Sequence, residues 1–65
     1  MRDLTHLGDE IARKRHVLKL SQLELATKAH ISRATLDALE NRRTREIGFS
    51  KLARILAALG LELWN

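Results

Sequence analysis

The chain has 65 residues, with 12 Lys and Arg against 8 Asp and Glu and no Cys or Pro. That length allows one small domain with little room for a deep catalytic cavity, and the missing Cys excludes disulfides and thiolate zinc sites. A formal charge of +4, with eight of the twelve cations Arg, points to an anionic partner, nucleic acid first.

The apolar fraction of 45% is that of a globular chain. The longest apolar run, Ile55 to Leu61, is far shorter than the roughly 20 residues a membrane span needs. The first fifteen residues lack the apolar core of a signal peptide, so the expected location is the cytoplasm, at the nucleoid. Without Pro, and with few β-branched runs, the chain is expected to be all-α.

Leu4, Leu7, Ile11 and Leu18 lie at offsets 0, 3, 7 and 14 and predict a first helix over about 4–19. Its acidic residues come early and its basic ones late, which suits the helix dipole. Ser21-Gln22-Leu23-Glu24 is a capping box that opens a second helix over 21–29, with Leu23, Ala26 and Thr27 expected inward. His30 breaks that helix in the left-handed position that Gly or Asn usually takes. Ser32 caps a third helix, 32–41, with Leu36 and Leu39 inward; Arg33, Ala34, Asp37, Ala38 and Asn41 form an outward stripe without a large apolar residue. After a loop over 42–48, Phe49, Leu52, Ile55, Leu56 and Leu59 predict a fourth helix over 49–59, and Gly60 is its stop. The tail, 61–65, alternates apolar and polar residues as a short strand does.

Two short helices joined by Ala29-His30-Ile31-Ser32 have helix-turn-helix spacing. The run SQLELATKAHISRATLDALENRR strongly resembles the lambda-repressor-like, or XRE, family, and the likeness extends over about residues 7–60. It implies one helix-turn-helix domain, 1–65, of four to five helices, whose third helix enters the DNA major groove. By the same resemblance Arg33, Ala34, Asp37 and Ala38 face base edges, while Gln22, Ser32, Thr35, Asn41, Arg42, Arg43 and Arg45 serve the phosphate backbone. Arg15 and Glu40 match a family ion pair that ties the first helix to the end of the third. The sequence departs from the family pattern at His30 and Arg42, where Gly is usual.

Arg33 is the expected base reader, through a bidentate contact to guanine. Asp37 is expected either to accept from cytosine N4 or to restrain Arg33 one turn back, and the restraint is favoured. His6, His16 and His30 lack metal-ligand spacing, and no nucleophile–base set or Gly-rich phosphate loop is present, so neither a metal, a cofactor nor an enzymatic activity is expected. The stretch from Ile47 to Leu63 resembles the end of HipB-like antitoxins, in which a terminal strand pairs with its twofold mate. That resemblance implies a homodimer joined through Leu61, Leu63 and Trp64. The functional expectation is a sequence-specific transcriptional repressor of a palindromic operator, the autoregulating antitoxin of a type II toxin–antitoxin pair with a cognate toxin. The alternatives are a small phage-type repressor and a protein-binding module that uses DNA little.

Overall fold

The computed structural model describes residues 6–43 and 47–61. Four α-helices lie in these segments: α1 (Leu7–Val17), α2 (Gln22–Ala29), α3 (Arg33–Glu40) and α4 (Phe49–Ala58). No strand occurs among the described residues; the expected strand at 61–65 falls outside them except for Leu61, which is irregular.

Local chemistry sets the helix starts. The Ser21 hydroxyl accepts from the Glu24 N–H at 3.0 Å and the Glu24 carboxylate accepts from the Ser21 N–H at 2.8 Å, so both halves of the capping box are made. The Ser32 hydroxyl likewise accepts from the Thr35 N–H at 3.0 Å. These two caps fix where α2 and α3 begin, and hence the turn between them.

All four helices end alike. Lys19, His30, Arg42 and Gly60 have φ of 59°, 57°, 60° and 78°, the left-handed region. In each case the left-handed residue donates its N–H to the carbonyl three residues back. The residue after it donates to the carbonyl five back: Leu20 to Arg15 at 3.0 Å, Ile31 to Ala26 at 3.0 Å, Arg43 to Ala38 at 2.8 Å and Leu61 to Leu56 at 2.7 Å. These Schellman closures satisfy the last carbonyls of each helix. Arg42, at a position where Gly is usual, adopts the same backbone and turns the chain out of α3.

The core consists of Ile11, Leu25, Ala26, Ala29, Leu36, Leu39, Ile55 and Leu59, with Leu7, Ile31, Ile47, Leu52 and Ala58 packed against it. Helix α2 packs on both α3 and α4, and α1 packs on α3. The inward stripe of α2 is Leu25, Ala26 and Ala29 with Gln22 half-buried: Ala26 lies inward as expected, whereas Leu25 and Ala29 take the places expected of Leu23 and Thr27. Leu23 is therefore 61% exposed and Thr27 is exposed as well. On α4 the buried stripe runs through Leu52, Ile55 and Leu59, and Phe49, in the first turn, is 67% exposed. Leu18 follows the last turn of α1, where the chain turns away, and is exposed too. Leu4 lies outside the described residues.

Gly8 sets the separation of α1 and α3. A Cβ there would run into the Leu39 carbonyl group, with its carbon at 2.9 Å and the Glu40 Cα at 3.2 Å. All the obstructing atoms are backbone, so no side chain can move aside. Gly8→Ala is expected to force the helices apart and cost about 3 kcal/mol, read as a fall in Tm of roughly 12–24 °C in a thermal melt.

Candidate nucleic-acid interface

The first two elements of the site are Arg15 on α1 and Glu40 at the end of α3, 8% and 9% exposed. Arg15 Nε donates to Glu40 Oε2 at 2.8 Å and Nη2 donates to Oε1 at 2.9 Å, a bidentate pair. Arg15 Nη1 donates to the Leu20 carbonyl at 2.9 Å, which joins the α1–α2 turn to the same group. The hydrogen bonds it donates to Glu40 raise the Arg15 pKa above its already high ordinary value.

Gln22 extends the network to the outward face. Its Nε2 donates to Glu40 Oε1 at 3.1 Å and to Asp37 Oδ1 at 3.2 Å. Two carboxylates thus fix which end of the amide points inward, because the reversed amide would set oxygen against oxygen. Asp37 accepts twice more: Oδ1 from Asn41 Nδ2 at 2.9 Å, and Oδ2 from the Arg43 guanidinium. Asn41 Nδ2 also donates to the Asp37 carbonyl at 2.9 Å.

Of the residues expected at phosphate, Gln22, Asn41 and Arg43 are therefore engaged by Asp37. Arg42 is drawn to Asp9 at the start of α1, with which it forms an ion pair. The Ser32 hydroxyl both caps α3 and donates to Thr35 Oγ1 at 2.8 Å, leaving the Thr35 proton available. Arg45, Leu63 and Trp64 lie outside the described residues; Leu61 is exposed.

Arg33, Ala34, Asp37 and Ala38 share the outward face of α3. Arg33 and Ala34 are exposed and the other two are half-buried. Asp37 does not pair with Arg33 as expected; it is taken by Arg43, which reaches it from beyond the helix end. Arg33 forms no hydrogen bond or ion pair with the described residues, although its charge is near enough to act on Asp37. Among the described residues the face thus presents one free guanidinium beside two methyl groups and a multiply bonded carboxylate.

Arg54 belongs to the same framework, although no motif in the sequence marks it. Its Nε donates to the Ala29 carbonyl at 2.8 Å, Nη1 to Ser50 Oγ at 2.9 Å and Nη2 to the His30 carbonyl at 3.5 Å. It places a cation at the C-terminus of α2 and ties α4 to the turn before α3. Its position four residues after Ser50 on a helix is the one local signal. Among the described residues no group of three His or carboxylates is placed to hold a metal, and no helix is long and apolar enough to cross a membrane.

The helix-turn-helix family model matches residues 11–63. No curated protein and no solved structure matches the chain.

Three carboxylates on this framework are acid-sensitive. The Arg43 guanidinium, with Gln22, holds Asp37 below its ordinary value of 3.8; Arg42 does the same for Asp9, and the Ser21 N–H lowers Glu24 from 4.5. Each folded value lies below the unfolded one, so their stabilisation is complete above the ordinary values. It is lost as pH falls through the lowered ones. Tm is expected to drop as pH is taken below about 4, and the combined variant Asp9→Asn, Glu24→Gln, Asp37→Asn should flatten that limb of the melting curve.

Proposed function

We propose that this chain, which belongs to the helix-turn-helix family of DNA-binding transcription regulators, represses transcription by reading a palindromic operator as a homodimer. The observation that carries the reading is Arg33 at the start of α3, without a hydrogen bond or ion pair among the described residues and on a face with only small neighbours. A guanidinium there is free to make a bidentate contact with guanine O6 and N7, and Ala34 and Ala38 let the helix approach a thymine methyl closely. Thr35 and the first turn of α2 serve the phosphates beside it, a role the family resemblance also implies for Arg45.

The biological role is that of the autoregulating antitoxin of a type II toxin–antitoxin pair acting at the nucleoid. Supporting this is the likeness of the C-terminal half to HipB-like antitoxins. Repression without a toxin partner is the phage-type outcome, and partner binding without DNA is the module outcome. The neighbouring gene separates the first two.

A promoter-binding series in salt tests DNA recognition. Two subunits bringing two or three Arg each neutralise about four to six phosphates, for a slope of log K against log salt between about −3.5 and −5.5. Arg33→Ala should lose about 1–3 kcal/mol on that promoter and less on random DNA. Equal losses on both would make Arg33 a phosphate contact, and a flat salt dependence would favour the protein module.

In this reading the dimer contact is made by the tail. Leu61 leaves α4 beside a cleft of about 300 Å³ between α1 and α4, floored by Leu7, Ile11 and Leu56. Pairing of residues 61–65 with the same residues of a second copy satisfies a lone strand's backbone groups and covers Leu63 and Trp64. It must also set the two α3 helices about 34–36 Å apart. Deletion of residues 61–65 is expected to leave a folded monomer in sedimentation, weakened on the full operator and little changed on a half-site.

A further inference from the structure

We propose that Asp37 is a latch against DNA of the wrong sequence: it holds the phosphate-directed donors of the free domain in internal pairs and releases them only when a seated α3 offers it new donors from a base edge. The inference rests on the DNA-binding reading above and concerns how that surface discriminates.

The observation is that three side chains suited to a phosphate all converge on this one carboxylate. Gln22 Nε2 and Asn41 Nδ2 are on Oδ1 at 3.2 and 2.9 Å, and the Arg43 guanidinium is on Oδ2. A phosphate that takes Arg43 must displace a carboxylate, an acceptor of the same kind and charge. Asp37 then keeps its amide donors but has lost its cation while it faces a polyanion, well inside the screening length of about 8 Å at physiological salt. That penalty is common to every sequence. Relief is not: the major groove presents cytosine N4 and adenine N6 as donors at particular positions only. Asp37 lies one turn after Arg33 on the same face of α3, so a helix seated for Arg33 to meet a base also brings the Asp37 carboxylate to the groove. The Asp9–Arg42 pair has no such role: it joins α1 to the residue after α3, and among the described residues Asp9 gathers no other donor of the site.

Asp37→Asn tests this, because it keeps the shape and an acceptor for Asn41 but removes the charge. The probe is a random-sequence duplex of about 30 base pairs, titrated between about 50 and 200 mM salt. The variant is expected to bind it about tenfold more tightly than wild type, with the salt slope steeper by about 1 per subunit as Arg43 becomes free. Asp37→Ser, which also removes the charge and leaves an acceptor, should behave alike. In an Arg43→Gln background Asp37→Asn should leave the slope unchanged, because there is no cation left to release. Unchanged or weaker binding of random duplex by the charge-removing variants overturns the latch, as does a steeper slope that persists without Arg43. Loss of a structural contact alone would lower Tm and leave the slope where it was. If wild type binds no duplex, the DNA-binding reading itself fails, which is a different result from a wild type that binds and a variant that does not differ.

Discussion

The guanidinium of Arg15 reaches three parts of the chain at once: the α1 that carries it, the Leu20 carbonyl in the following turn, and the Glu40 carboxylate that closes α3. Both charges are nearly removed from water, so neither tolerates the loss of its partner; leaving one buried charge unpaired costs about 3–5 kcal/mol. The pair adds less to net stability than to geometry. Because Gly8 lets α1 lie against the α3 backbone, the guanidinium arrives at the right depth, and Glu40 in turn orients the Gln22 amide. The outward face of α3 is aimed by this chain of bonds from within.

The charge of the chain and the charge of that face are different quantities. The chain carries +4, but on the proposed interface Arg43 is matched by Asp37 and Arg15 by Glu40, and next to it Arg42 is matched by Asp9. Exposed pairs such as Arg43–Asp37 and Arg42–Asp9 contribute little to stability. They matter because they decide which cations are ready to meet an anion and which must first leave a partner. Arg33 is ready; the others are not.

Much of the fold is legible because its signals are local. Ser21 with Glu24, Ser32 with Thr35, His30 and Gly60 act within one turn of themselves, so short stretches suffice to place those helix ends. The facing of α2 is not local: whether Leu23 or Leu25 goes inside depends on where α3 and α4 cross it, and the period alone admits both. Phe49 has the right spacing for the core of α4 but lies a turn too early to be covered. Gly8 gives no sign of its role, because the backbone it makes room for is that of α3. Arg15 and Glu40, 25 residues apart, are legible through the family resemblance and not through any pattern. The same distance hides the bond between Gln22 and Asp37, and with it the fact that Asp37 serves Arg43 and not Arg33.

The left-handed helix ends have a consequence for how firmly the domain is held. Three of the four, Lys19, His30 and Arg42, bear a Cβ, and each such residue costs about 1–2 kcal/mol relative to ordinary backbone. A domain of this size has a total margin of only about 5–10 kcal/mol, so these turns retain an appreciable share of it as strain. The unfolded fraction grows exponentially as that margin shrinks, and unfolded chain is what a protease cuts. These helix ends therefore help set how long each copy of the protein lasts.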